Sequence, residues 1–215
     1  AWSSILPTFG SLTEEGPGER LLLNMPLEER YFHWTLDLER NVAILKLERS
    51  RLNIIEVPLR PFIGSVGVAP RYGRVETSLT PGEYGGNMDC VETREGTTIY
   101  FPVFVKGAYL SFGDVHAVQG DGELCGVALE TSAKVTLKVD VVRGKMIEWP
   151  RFEDDEFIMV AGSSRPLMEA FKIAHLELID WLVADYGFER YEALEILTQV
   201  GTCRVGNVVD PNYTV

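Results

Sequence analysis

The sequence predicts a mainly β protein, a β-sandwich or jelly-roll-like body with a C-terminal α+β extension. Three observations predict it. Period-two alternation of apolar and polar residues recurs through the first 160 residues. Helical periodicity is confined to the stretch after Ser163. Strands and helices do not alternate, which speaks against a parallel βαβ sheet.

Along the chain, residues 1–30 are polar and rich in Gly and Pro (Leu6-Pro7-Thr8-Phe9-Gly10, Glu14-Glu15-Gly16-Pro17-Gly18-Glu19) and read as an irregular surface loop. Strands are expected at 32–38 and 42–47, joined at Glu39-Arg40-Asn41, and at 54–57, where Pro58 and Pro61 end the run. The stretch from Pro61 to Cys90 is mostly turn sequence, and so long a non-repetitive segment in a compact domain is usually functional. Further strands are expected at 98–105, 113–118, 126–131, 134–143 and 158–161, the middle three as an antiparallel meander. Ser163-Ser164-Arg165-Pro166 reads as a Ser-capped helix start, with a helix over 167–186 closed by Gly187. On that helix Leu167, Ala170, Phe171, Ala174, Leu178, Trp181 and Leu182 share one face, and Glu169, Glu177 and Asp180 share another. A second helix follows at 189–199 behind a poor cap, Phe188, and a last strand at 203–209. Residues 1–160 form the expected site-bearing portion and 161–215 the extension packed on it.

The 215 residues carry 20 Lys+Arg against 32 Asp+Glu, a net charge of −12. Such a surface repels phosphate, and the basic residues are scattered, which argues against nucleic-acid binding. It suits neutral or cationic ligands and metal ions held by carboxylates. No run approaches the ~20 apolar residues of a membrane span. Residue 1 is Ala, so either Met was trimmed or the chain starts inside a longer precursor. Three widely spaced cysteines, Cys90, Cys125 and Cys203, argue against a disulfide framework and for a cytoplasmic setting.

The most informative stretch runs from Gly113 to Glu130. Read as a hairpin turning about Asp121, it puts Val115, Ala117, Val127 and Leu129 on one face and Asp114, His116, Ala128 and Glu130 on the other. That register sets 116 opposite 126 and 112 opposite 130. Asp114, His116 and Glu130 then converge as two carboxylates and an imidazole, a set that can hold Zn²⁺ or another divalent ion with a position left for water. The tip Gly120-Asp121-Gly122-Glu123 adds two carboxylates, and Glu123 can serve as general base or acid. The plain alternative is a solvated strand face with an acidic tip. In Gly85-Gly86-Asn87-Met88-Asp89-Cys90, Asp89 can act as ligand or base and Asn87 can hydrogen-bond a substrate; otherwise the stretch is a turn with local Asx bonds. Cys90 and Cys125 read as small buried hydrophobes, and His33 and His175 as structural or exposed. Gly64-Ser65-Val66-Gly67 lacks the dinucleotide-binding glycine pattern.

At these residues the sequence resembles the acetamidase/formamidase family. The matching motifs are Pro61-Phe62-Ile63-Gly64 with Gly67-Val68-Ala69-Pro70, Gly85-Gly86-Asn87-Met88-Asp89, Pro102-Val103 with Gly107-Ala108, the run from Gly113 to Glu123, and Val208-Val209-Asp210-Pro211. The resemblance implies hydrolysis of a short linear amide to ammonia and a carboxylate, a β-sandwich with an α+β extension, and divalent metal sites. The family's acidic and histidine motif residues fall on Asp89, Asp114, His116, Asp121, Glu123 and Glu130. It also implies a further N-terminal β segment ahead of Trp2, so a companion polypeptide or second subunit is expected, together with homo-oligomerisation.

The expected site therefore has Asp89, Asp114, His116 and Glu130 as metal ligands and Glu123, Asp121 and Asn87 as catalytic groups. Zinc is the expected ion, with calcium or manganese as alternatives. Two other readings compete: a non-catalytic metal- or carbohydrate-binding jelly roll, and an amidase with a cysteine nucleophile.

Overall fold

The computed structural model describes residues 1–5 and 28–215. Most of the loop expected over 1–30 lies outside them. The first sheet is antiparallel in chain order: β1 (Trp2–Ile5), β2 (Arg30–Asp37), β3 (Val42–Lys46) and β4 (Ile54–Pro58). There follow β5 (Phe62–Gly67), β6 (Gly85–Asn87), β7 (Thr98–Tyr100), β8 (Ser111–His116), β9 (Arg151–Glu153) and β10 (Ile158–Val160). β5 is the middle strand of the order β6-β5-β8, and β9 the middle strand of β10-β9-β7. A two-stranded pair, β11 (Ser163–Ser164) with β12 (Tyr213–Thr214), ties the start of the extension to its end. Two helices, α1 (Leu167–Tyr186) and α2 (Arg190–Val200), lie between those strands in sequence. The described fold is thus mainly β with two C-terminal helices.

The β6-β5-β8 sheet positions the site. Ser65 pairs with Asn87 on one side and Gly113 on the other, so the 85–90 and 111–116 segments flank a single strand. Glycine makes this closeness possible: Gly85 has φ +90°, and a Cβ there would stand 2.5 Å from the Val66 carbonyl of β5. One apolar cluster joins Val66, Met88, Cys90, Phe152 and Ala161; another joins Ala43, Leu59, Ala117 and Leu129. Burial of such faces stabilises each sheet by roughly 25 cal/mol per Å².

The extension locks on through a buried ion pair. Arg151 of β9 donates from Nε to Glu177 of α1 at 2.8 Å, under the ring of Trp181. Glu177 is therefore buried, although it shares a helix face with Glu169 and Asp180. Gly187 ends α1 in the left-handed region at φ +74°, as its C-cap position predicts.

Several expected elements differ. The Phe62–Gly67 strand replaces part of the expected turn region; its glycines hid it. The Ser cap before α1 is absent: Pro166 is the N-cap, and Ser163 and Ser164 pair with β12 instead. α2 is capped by Glu189, in a reciprocal box with Glu192, rather than by Phe188. No strand occupies 203–209; the pairing falls at Tyr213–Thr214. Strands expected at 126–131 and 134–143 do not form. Residue 130 makes only single bridges, to Trp2 and His116, and among the described residues no backbone group of 133–142 bonds another backbone group. The side chains of 136–146 are all exposed, Val139 at 67% and Val141 at 62%. Alternation alone does not make a strand; a ladder needs a partner.

Candidate metal centre

His116 ends β8 with 1% exposure, its ring edge-on to Phe62 at 5.0 Å between centroids. Its Nε2 atom faces Asp114 Oδ1 at 3.3 Å, Glu130 Oε1 at 3.3 Å and Glu123 Oε1 at 4.0 Å. His116 pairs across with Glu130, not with residue 126 as the expected register had it. The chain between them is looped rather than a tight hairpin, held by bonds from the Ala117 amide to the Leu129 carbonyl at 2.8 Å and from the Thr131 amide to the Val115 carbonyl at 3.1 Å. The expected separation of faces survives: Ala117 and Leu129 enter the core while His116 and Glu130 meet.

Asp89 approaches from the segment after β6. It is fully buried, and neither of its oxygens meets a hydrogen-bond donor among the described residues. The carboxylate of Asp210 stands close by and can bond it only through a proton held by one of the two acids. Asn207 brings Asp210 there: its Nδ2 donates to the Asn87 carbonyl at 3.2 Å, and its Oδ1 accepts from the Asp210 amide at 3.3 Å. Asn87 then donates from Nδ2 to Asp210 Oδ2 at 2.8 Å and accepts from Ser65 Oγ.

Two groups of ligand atoms each lie within 4.8 Å of one another: Asp89, Asp114 and His116, and His116, Glu123 and Glu130. Three of these acids, Asp89, Asp114 and Glu123, have positive φ (52°, 58° and 47°). Side chains disfavour that region, and such backbones concentrate at functional sites. Gly64 makes the space. A Cβ there would stand 2.7 Å from Asp114 Oδ2 and 2.8 Å from Asp89 Oδ1, so any side chain at 64 displaces both carboxylates.

The electrostatics follow from burying many acids around one ring. Burial, then the charges of Glu123, Asp210 and Asp114, push Asp89 well above the usual carboxylate range. Burial raises Glu123 to about 8, against the opposing pull of His116, and Glu130 to about 7. Burial likewise raises Asp210 to about 6. Burial disfavours the charged His116 ring, but Asp114, Glu130 and Glu123 outweigh it and bring the ring up to about 9. For Asp114 burial is the largest single influence and acts upward, but the bond and charge of His116, with the bonds to Ser65 and Glu130, together outweigh it and lower the carboxyl on balance. Asp/Glu oxygens with one imidazole form a donor set for a hard or borderline divalent ion such as zinc, manganese or calcium. The orphaned Asp89 oxygens and the space left by Gly64 fit such an ion.

Of the residues singled out by sequence, Asp89, Asp114, His116, Glu123 and Glu130 come together, with Asn87 holding Asp210 beside them. Asp121 stands apart, exposed and paired with Arg204. Cys90 is buried, its thiol pushed up first by burial and then by Glu92 and Asp89; burial also raises Cys125. Neither is set up as a thiolate nucleophile. His33 lies on β2 and His175 bonds the Phe171 carbonyl, both outside the cluster. Sequence reading missed Gly64, Ser65, Gln119 and Asp210 as site residues, although each lies within or beside a motif it had marked. The cluster opens on a cleft of about 870 Å³, whose apolar wall includes Trp2, Val68, Leu79 and Phe112.

A profile described as the Acetamidase/Formamidase family matches residues 73–215. The acetamidase of Mycolicibacterium smegmatis is 45% identical over 71 residues, covering 32% of this chain and 17% of that protein. A crystal structure of acetamidase from Yersinia enterocolitica matches 99% of this chain at 42% identity and a TM-score of 0.87. One of acetamidase from Bacillus halodurans also matches 99%, at 31% identity and 0.80. The present chain spans 61% and 66% of those two chains, less than two thirds of either.

Proposed function

The chain belongs to the acetamidase/formamidase family, and from that membership we propose that it hydrolyses the C–N bond of a short linear amide of formamide or acetamide type, giving ammonia and a carboxylate. The observation that carries this reading is the convergence of four acids, Asp89, Asp114, Glu123 and Glu130, on one imidazole, with both Asp89 oxygens unpartnered, at the mouth of a cleft. Asp89, Asp114, His116 and Glu130 would hold the divalent ion, zinc first. When bound, such an ion polarises a carbonyl and makes water more acidic.

The chain's own residues supply the proton traffic. Glu123 reaches toward His116, and its Oε1 accepts from the Ala128 amide at 3.0 Å, which fixes its direction. It takes a proton from the attacking water as the C–O bond forms. It then delivers a proton to the amide nitrogen, so that the C–N bond breaks with neutral ammonia as leaving group. Without that delivery an amide anion would have to depart. Burial holds the Glu123 carboxyl in a range where both forms are accessible near neutrality. Ser65 and Asn87 orient Asp210 along the cleft wall.

Ammonia release from formamide and acetamide, measured on protein stripped with a chelator and then reloaded with zinc, tests the reading. Activity lost on stripping and regained on loading is expected. Full activity after stripping overturns the metal assignment; cation binding with no ammonia from any short amide leaves a binding protein instead.

The same reading extends to the rest of the molecule. The sheets form a sandwich or jelly-roll-like body over 1–160, with 161–215 packed on it and Asp210 reaching into the site. The greater length of the solved relatives and the exposed 136–146 run support a companion β polypeptide that covers this run, within a homo-oligomer. Among the described residues no helix is long and apolar enough to cross a membrane, and the unpaired thiols of Cys90, Cys125 and Cys203 accord with a cytoplasmic location.

A further inference from the structure

Gln119 belongs to none of the ligand groups, yet its side chain makes three hydrogen bonds beside them. Its Nε2 donates to the Asp89 carbonyl at 2.9 Å and to the Gly206 carbonyl at 3.0 Å. Both amide hydrogens are thereby used. Turning the amide over would point its oxygen at two carbonyl oxygens, so the partners fix its orientation. Its Oε1 must then meet His116 Nδ1, 2.8 Å away, as an acceptor. An acceptor there requires a hydrogen on Nδ1. In the neutral ring the lone pair must sit on Nε2, the atom that faces Asp114, Glu123 and Glu130.

We infer that Gln119 is a positioning residue, which sets the tautomer and direction of the His116 ring and pins the backbone of Asp89, so that two segments on opposite sides of β5 present their donor atoms to one point. The inference goes beyond the catalytic reading and rests on it only where a cation is invoked. A ring nitrogen that binds a metal commonly has its other nitrogen donated to a fixed acceptor, and loss of that acceptor typically costs about 10–100-fold in metal affinity. Gln119 adds a tie that a simple acceptor would not make, since the same side chain also holds Asp89 and the 206–210 segment.

The chain has three histidines, which keeps ring spectra simple. Nitrogen-15 spectra of metal-free protein, at a pH high enough to make the rings neutral, are expected to show the His116 ring locked with its hydrogen on Nδ1; the signals of His175, whose Nδ1 also faces a carbonyl, that of Phe171, are identified by their loss in His175→Gln. Gln119→Met removes acceptor and donors together; Gln119→Glu keeps an acceptor and loses the donors. Gln119→Met is expected to release the lock and weaken zinc binding, measured by chelator competition, about 10–100-fold. Gln119→Glu is expected to keep the locked ring. A wild-type His116 ring with its hydrogen on Nε2 overturns the inference, and it does so even if Gln119→Met fails to fold. A folded Gln119→Met that keeps the wild-type ring signals and zinc affinity overturns it as well. Wild-type protein that binds no zinc defeats the catalytic reading while the ring spectra still decide this one.

Discussion

Arg151 and Glu177 are 6% and 5% exposed; His116 and Glu123 are 1% and 8% exposed. Both sets bury charge, but they close differently. At Arg151 one guanidinium meets one carboxylate, with Nη2 at 2.6 Å and a tryptophan ring beside it. At His116 a single ring faces Asp89, Asp114, Glu123 and Glu130, with Asp210 adjoining. One imidazolium cannot neutralise so many acids, and burying each unpaired charge is costly. The molecule lowers that cost by protonating them, which is why several carry raised pKa values. Charge that is matched in place serves the fold, and charge left unmatched is what the proposed cation would balance.

The widest gap between the two clusters is expected in catalysis. Glu123→Gln should lower ammonia release by about 10²–10⁴-fold, the usual worth of a general acid–base group, while Glu177→Ala should leave turnover per folded molecule unchanged. Equal losses in steady-state assays of soluble protein would erase the distinction. In stability the order inverts. Glu177→Ala leaves Arg151 buried without its counter-charge and should cost about 3–5 kcal/mol in denaturant unfolding. A cost below about 1 kcal/mol, the scale of a surface pair, would show that the Arg151 pair is not closed in the way described.

Asp89→Asn should move two measurements in opposite directions. Without metal it removes an acid that must be protonated or left unmatched, so the melting temperature should rise, by about 2–4 °C for each kcal/mol gained in a chain of this size. Zinc affinity should fall at the same time. A lower melting temperature for the metal-free variant would falsify the view that this carboxyl destabilises the empty site.

The smallest effect is a slope. The folded pKa values of Glu123, Glu130 and Asp210 lie above the ordinary carboxylate value, and that of His116 above the ordinary imidazole value. For all four the folded chain then binds more protons than the unfolded chain, so metal-free stability should decline as pH rises. The acids act between 3.8 and about 8, Asp210 lowest and Glu123 highest, and the ring between 6.5 and about 9. Zinc displaces those protons, so its affinity should climb over the same range and flatten the decline. Unfolding curves at pH 5 and pH 8.5, with and without zinc, read both. Metal-free stability that rises over this interval contradicts the assignment.

How much of this was legible in the residues depended on how far apart the partners are. β2 to β4 could be read because each carries its own alternation and is followed by a turn. The gathering of Asp114, His116 and Glu130 could be read because 17 consecutive residues contain all three. β5 could not, because Gly64 and Gly67 carry no pattern and owe their place to the strands on either side. Asp210 was out of reach for another reason: it meets Asn87 across 123 residues, and nothing local to Asp210 points there. The 134–143 stretch erred in the opposite direction, since it has the pattern of a strand without the ladder.

That stretch has a consequence for handling the protein. Val135, Leu137, Val139 and Val141 alternate with Thr136, Lys138 and Asp140, and Lys138 and Asp140 are the only charges between Val135 and Val142. A bare ribbon of this composition is the sort that nucleates fibrils, and isolated charges of this kind act as gatekeepers against them. Neutralising those two side chains should make concentrated solutions turn cloudy well before any change in the pocket is felt.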